Sequence, residues 1–380
     1  MQKIIYLDNG ATTKPFKNSI EIASKYLEEN YFNASSLYNG GVEAGLAISD
    51  ARKSISSIFG LNFDVIFVSC GSEANNTAIN SYLKRGNAVT TLGEHSAVYE
   101  PFNEFKKAGY DARFATLNAD GSVNVENLLS LVDKNTVFVS VMHVNNETGA
   151  INDINYIARR VKEINPRIIF HADGVQAFLK IPYTLSCDID LYSISAHKIN
   201  ALKGVGALIK NKRVKNLKPL IFGGGQESGL RSGTENIFGI KVFEASALTH
   251  LKSLKENYQN AIELKKYLLN GLDSSIFKII SSENCSPYII SVSAVGLRGE
   301  VLQHMLENYG IYVGTGSACS SKNRHSRVLK AIGYDEKVLD GVLRISFSSQ
   351  TTLDEVKTAV SALNECANNL KRTMQKWAKY

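Results

Sequence analysis

Two different patterns of apolar and polar positions divide this chain. Between about residue 45 and residue 220, short apolar runs recur, each closed by a polar or glycine-containing turn and followed by a helical pattern. Phe63–Val68 is the clearest run. It ends in Ser69-Cys70-Gly71-Ser72, and a helix is predicted from about Glu73. Further strands are predicted at Asn87–Thr91, 111–114, 137–142, 167–171, Leu191–Ser195 and 205–209. Strands alternating with helices build a mainly parallel, doubly wound α/β sheet. Such sheets take ligands at the carboxyl ends of their strands.

From about residue 237 the pattern becomes one continuous helical stretch reaching Gly271. Beyond it, 289–293 and 343–347 read as antiparallel strands. Thr352 and Glu355 make a capping box for a last helix, whose apolar face is Leu353, Val356, Val360 and Leu363. The patterning predicts a large α/β unit and a smaller α+β unit, parting near residues 250–260.

Composition narrows the class. With 380 residues and 44% apolar content, the chain can bury a large core. No apolar run reaches the roughly 18 residues of a membrane span, and Met1 to Tyr6 lack the basic-then-apolar layout of a secretory leader. The expectation is a cytoplasmic protein off the membrane. The five cysteines, Cys70, Cys187, Cys285, Cys319 and Cys366, are odd in number and scattered, which argues against a disulfide framework or a zinc site. Most are expected to be buried. The net charge of +7 is spread along the chain and does not decide function; no direct nucleic-acid binding is expected. Its densest cluster, Lys210, Lys212, Arg213, Lys215 and Lys218, reads as a solvated face or as a docking patch for an acidic partner or RNA.

The chemistry-bearing residues sit just past the predicted strands. Lys198, in Ser195-Ala196-His197-Lys198, is placed where an enclosed lysine loses its proton readily enough for Schiff-base chemistry. Asp173, in His171-Ala172-Asp173-Gly174-Val175-Gln176, could hold a pyridinium nitrogen protonated, or simply N-cap a helix. Gly71-Ser72 opens a helix and suits a phosphate. His95 follows another strand and could stack on a flat ring. His143 to Gly149 brings amides, including Asn146, to the same edge. Gly314 to Ser321 is a run of small residues carrying Cys319, which reads as a reactive thiol or an ordinary one. No GxGxxG motif opens a helix after the first strand, which argues against a nicotinamide enzyme.

Together and in this order, these segments resemble the cysteine desulfurases of the class-V aminotransferase superfamily, fold type I of the pyridoxal phosphate enzymes. The resemblance runs from Tyr6-Leu7-Asp8-Asn9 to the last helix and includes Arg231-Ser232-Gly233-Thr234-Glu235-Asn236. It implies pyridoxal 5'-phosphate bound covalently by Lys198, with Asp173 on the ring nitrogen, Gln176 on the phenolic oxygen, Asn146 against the cofactor and His95 stacked as an acid–base group. Gly71, Ser72, Ser195 and His197 would hold the phosphate, with Thr234 from the second subunit of a homodimer. Arg344 and Asn33 would bind the carboxylate of L-cysteine. Cys319 would take its sulfur as a persulfide, release L-alanine and serve an acceptor such as an iron–sulfur scaffold or a tRNA-thiolation enzyme. The expected division is a large domain over 13–254 and a small one over 1–12 and 255–380.

The chain departs from that pattern in four places, one of them the loop after Cys319, Ser320 to Ser326, which is short and basic. The family follows its lysine with an aromatic residue and Gly-Pro-Lys-Gly, whereas this chain has Ile199-Asn200-Ala201-Leu202-Lys203-Gly204, predicting a differently shaped turn. Tyr38 stands in place of a histidine, and Gly10 in place of an alanine or serine. A transaminase or a selenocysteine lyase shares most of the motifs but does not require Cys319. A sulfur-relay protein with decayed catalysis would rest on the altered turn alone.

Overall fold

The apolar runs become one seven-stranded sheet in the computed structural model, which describes residues 4–83, 86–315 and 325–377. The strands are β1 (Phe63–Val68), β2 (Asn87–Thr91), β3 (Ala112–Ala115), β4 (Thr136–Met142), β5 (Ile169–Asp173), β6 (Leu191–Ser195) and β7 (Gly206–Asn211). Their spatial order is β1-β7-β6-β5-β4-β2-β3. Only β7 runs against its neighbours; the other pairings are parallel. Two boundaries move in a way that matters for the site. β5 runs two residues later than the predicted 167–171, so that Asp173 is its last residue. The helix after β1, Gly71–Tyr82, begins at the glycine rather than at Glu73.

The sheet is covered on both faces, and β1 shows why its sequence is apolar at every position but Asp64. Phe63, Val65 and Phe67 enter one core with Ala44, Ile48, Ala51, Ile55 and Phe59 of the helix Asn39–Phe59. Ile66 and Val68 enter another, with Ala74, Ala78 and Ile79 of Gly71–Tyr82 and Phe102 of the helix Ser96–Lys107. Successive strand residues point to opposite faces, so a strand covered twice has no polar side to show.

The single helix predicted over 237–271 is instead two, Ile237–Lys252 and Leu254–Gly271, broken at Ser253. They serve different cores. Ile237, Ile240, Val242, Phe243 and Ala247 pack under the large sheet. Ala261, Leu264 and Leu268 pack in a second core with Ile5, Leu7 and the final helix Leu353–Trp377. That core also holds a four-stranded antiparallel sheet of β8 (Phe277–Ile279), β9 (Ile289–Ala294), β10 (Gly314–Thr315) and β11 (Val342–Ser346), ordered β10-β11-β9-β8. The predicted pair forms as β9 and β11, with Ser291 opposite Arg344. The capping box also forms: the Thr352 N–H donates to Glu355 Oε2 at 2.9 Å and the Glu355 N–H to Thr352 Oγ1 at 3.3 Å.

In the basic cluster Lys212, Arg213, Lys215 and Lys218 are exposed and Lys210 is half-buried, and three of the five make local contacts. Arg213 Nε donates to Asp190 Oδ1 at 2.7 Å, Lys212 Nζ to the Leu61 carbonyl at 2.8 Å, and Lys210 Nζ lies 3.4 Å from Asp64. Among the described residues, no helix is long and apolar enough to cross a membrane.

Candidate active site

The carboxyl ends of β1, β2, β4, β5 and β6 converge on a cavity of about 310 Å³, closed from the second core by Arg344 of β11. Gly71, Ser72, His95, Asn146, Asp173, Gln176, Ser195, His197, Lys198 and Arg344 all line it. Asn33 and Thr234 do not. Both are exposed, and the Asn33 side chain accepts the Ser35 N–H at 2.9 Å. Cys319 lies outside the described residues. The strand leading to its segment, β10, sets Gly314 opposite Arg344. Of the four described cysteines, Cys285 and Cys366 are buried as expected. Cys187 is exposed, and half-buried Cys70 lines the cavity because it sits on the turn after β1.

Lys198 ends a short turn after β6. Its Nζ donates to the carbonyls of Gly10 at 2.6 Å and Ala11 at 2.8 Å. The altered turn beyond it is built on Asn200, which takes a left-handed backbone (φ 59°). Asparagine tolerates that region better than most residues. Asn200 is fixed there by Nδ2 to the Lys14 carbonyl at 2.8 Å, by Oδ1 to His250 Nε2 at 3.0 Å and by its N–H to Thr13 Oγ1 at 2.7 Å.

No helix follows Asp173 for it to cap; the chain enters a turn, and Asp173 sits on the cavity wall. Its Oδ1 accepts the Val175 N–H at 3.0 Å, which shapes the turn, and its Oδ2 accepts Asn75 Nδ2 at 2.8 Å at the cavity wall. His95 caps the helix Ser96–Lys107: its Nδ1 accepts the Ala97 N–H at 3.1 Å. The neutral ring therefore carries its proton on Nε2. Burial, and then the cations Lys198, Arg327 and Arg344, hold His95 below the usual histidine range against the opposing charge of Asp173.

One end of the cavity is suited to an anion. The first N–H groups of Gly71–Tyr82 have no partner inside their own helix. Ser195 Oγ is buried and unpartnered beside them. A β-carbon on Gly71 would lie 2.7 Å from Val175 Cγ2, so only glycine lets this helix begin so close to the Asp173 turn. The opposite end holds Arg344. Its Nη2 donates to Asp8 Oδ1 at 2.7 Å and its Nη1 to the Asn146 carbonyl at 3.0 Å, while its buried Nε has no partner. The arrangement can bind an anion, hold a protonated aromatic nitrogen at Asp173 and present an amine between them.

The chain matches the Aminotransferase class-V family over residues 5–358. The chain belongs to that family. A NifS/IcsS protein homolog of Lactobacillus delbrueckii is 36% identical over 375 residues, covering 95% of this chain and 97% of its own. Cysteine desulfurase IscS of Dictyoglomus turgidum is 33% identical over 382 residues, covering 98% and 96%. Among solved structures, a NifS-like protein superimposes with a TM-score of 0.90 at 34% identity over 97% of this chain and all of its own. A NifS-like protein from Rickettsia africae gives 0.88 at 27% identity over 96% of this chain and 100% of its own. The fold is thus that of the fold type I enzymes.

Four residues of the site escaped the sequence. Asn75 reaches Asp173 only because its helix packs across β5. Lys180 is 4% exposed and donates to Gln176 Oε1 at 3.0 Å. A lysine inside Ala177-Phe178-Leu179-Lys180-Ile181, four residues after Gln176, was the signal available for it. Glu94 is buried with Oε1 accepting Thr91 Oγ1 at 2.8 Å and the Met142 N–H at 2.9 Å, and Oε2 is unpartnered. Arg327 holds the Leu92 and Glu94 carbonyls and lies over the Tyr99 ring, 3.6 Å from its centroid. Of the other departures, Tyr38 is exposed and meets Phe32 edge-on. A β-carbon on Gly10 would sit 3.1 Å from Ser346 Oγ and 3.3 Å from Arg344 Nε.

Proposed function

We propose that this chain is a cysteine desulfurase that uses pyridoxal 5'-phosphate to move the sulfur of L-cysteine onto Cys319, with L-alanine as the other product. The observation that carries this reading is the meeting of Lys198, Asp173 and the Gly71 helix start in one cavity. The relatives named cysteine desulfurase support it across nearly the whole chain.

Lys198 would hold the cofactor, Asp173 its ring nitrogen, Gln176 its phenolic oxygen and Gly71, Ser72, Ser195 and His197 its phosphate. The unpartnered Ser195 hydroxyl and the close helix start fit that group. When bound, it supplies an electron sink conjugated to the substrate's α-carbon. The protein's own residues do the rest. The guanidinium of Arg344 fixes the substrate carboxylate. The Lys198 amine takes the α-proton, and the Nε2–H of His95 stands ready to donate one. The Cys319 thiolate forms a bond to the substrate sulfur as the carbon–sulfur bond breaks, and the electrons of that bond end with a proton on the alanine β-carbon.

The exposed Thr234 is read as completing the site of a second copy. Its segment is anchored by Arg231, whose Nε donates to Glu73 Oε1 at 3.0 Å, so it lies against the helix that begins at Gly71. The expected homodimer, the cytoplasmic setting, the division at residues 254 and 255 and a sulfur-accepting protein partner belong to the same reading.

The test is direct. The purified protein is expected to be coloured, to lose its band on borohydride reduction with the cofactor fixed to Lys198 by peptide mass, and to release alanine and sulfide from L-cysteine with a reductant. Cys319→Ser should abolish sulfide release while leaving the coloured band. Holoenzyme with intact Cys319 that releases neither product would overturn the reading.

A further inference from the structure

The amine of Lys198 is one end of a hydrogen-bonded chain whose other end is a second buried lysine. Lys198 Nζ donates to the Gly10 carbonyl at 2.6 Å, and Gln176 Nε2 donates to the same carbonyl at 2.8 Å. Gln176 Oε1 accepts Lys180 Nζ at 3.0 Å. A buried lysine is expensive and rarely retained without a partner or a task. Among the described residues, Lys180 has no carboxylate as a hydrogen-bond or ion-pair partner; a neutral amide oxygen faces it. The backbone delivering it is also unusual: Leu179, a bulky side chain, is left-handed (φ 53°). Strain of that kind persists where surrounding structure imposes it.

We propose that Lys180 is a positioning residue of the site: its ammonium orients the Gln176 amide and, as a cation set across that amide from Lys198, favours the unprotonated, nucleophilic form of the Lys198 amine. The inference rests on the cofactor reading above and adds a residue to it.

The orientation follows from donor counting. An ammonium has three donors and no acceptor, so the amide oxygen must face Lys180. The NH₂ group must then face the Gly10 carbonyl and, with its second hydrogen, the cavity. The flipped amide would set donor against donor at one end and acceptor against acceptor at the other. The electrostatic part follows from reciprocity. Burial, and then the charges of Lys198 and Arg344, push Lys180 down to about 7. A charge on Lys198 that disfavours one on Lys180 is disfavoured by it to the same degree. The other titratable groups feeling Lys180 are His197, from the turn after β6, and His250, from the helix Ile237–Lys252. Both are held well below the usual histidine range by burial first, with Lys180 adding to it. Arg344 shares its charge with Asp8.

The experiment compares wild type, Lys180→Met and Lys180→Arg as full-length chains. Stripped of cofactor, each is pulsed with an acetylating reagent over a pH series, and acetylation of the Lys198 peptide is quantified by mass spectrometry. Lys180→Met should raise the pH midpoint for Lys198 by roughly one unit, cutting its labelling about tenfold at a fixed pH below the midpoint. Lys180→Arg should stay with wild type. Lys180→Met trades relief of a buried cation against the lost donor to Gln176 Oε1, so thermal melts serve to show that each variant remains folded. An unchanged Lys198 midpoint in Lys180→Met, or a shift of equal size in Lys180→Arg, overturns the proposal. Borohydride fixation of the cofactor to Lys198 in wild-type holoenzyme is scored separately: its failure sinks the cofactor reading, while the labelling series still decides the lysine pair.

Discussion

Arg344 Nη2 lies 2.7 Å from Asp8 Oδ1, so the guanidinium proposed to receive a substrate carboxylate already faces a carboxylate of its own chain. Arg344→Lys keeps the charge and loses the planar fork. KM for L-cysteine should rise about tenfold with kcat changed much less, the signature of lost uniform binding, worth about 1.4 kcal/mol. Asp8→Asn keeps an acceptor for Nη2 but removes the competing charge, so KM should fall while the melting temperature drops. Steady-state kinetics and thermal melts read both. A KM unchanged in Arg344→Lys would remove Arg344 from the substrate site.

Asn75 is the neutral donor that satisfies Asp173 Oδ2. Asn75→Ala leaves that buried oxygen without a partner, at a cost of about 1–3 kcal/mol. Urea unfolding of the cofactor-free protein should show the loss in the midpoint at constant m-value. Titration with pyridoxal phosphate should show about tenfold weaker binding, because a carboxylate lacking a donor holds a proton more readily and pairs less well with a ring N–H.

Asn200 sets the turn after Lys198. Asn200→Ala forces a β-carbon into the left-handed region and deletes the bonds to Lys14 and His250, for an expected loss of about 2–4 kcal/mol. Asn200→Gly retains the backbone freedom and should lose about half as much. Equal losses in the two variants would show that the side-chain anchors alone matter. The comparison is made by denaturant unfolding.

Two sets of buried groups make stability depend on pH in opposite directions. Burial holds His143 and His250 down to about 4 and His171 down to about 3. These rings are neutral when folded and take protons when unfolded, so their contribution is complete above the ordinary histidine range and is lost as pH falls toward 4. Glu94 behaves in reverse. Burial, and then the charge of Asp173, push it up to about 8. The folded chain therefore holds a proton that the unfolded chain releases, and stability falls as pH rises from the ordinary glutamate range through 8. Glu94→Gln should melt close to wild type at low pH and above it at alkaline pH. Parallel melting curves across that range would assign the proton elsewhere.

The sequence alone carried the sheet, because a strand covered on both faces must be mainly apolar and β1 is, with Asp64 near its start as the one polar residue. It carried the positions of Lys198, Asp173, Gly71 and His95 as well, because each lies within a few residues of a strand's carboxyl end and strand ends are local signals. It misjudged the stretch over 237–271, where one helical period hides two helices packed into different cores. Which neighbours a side chain meets was decided only by the tertiary structure. Asn75 reaches Asp173 across 98 residues and Arg344 reaches Asp8 across 336. Lys180 sits inside an apolar run whose burial is ordinary for every residue but itself. Periodicity reports which face of an element is covered; it does not report what covers it, and the polar partners of this site come from elements brought together by packing.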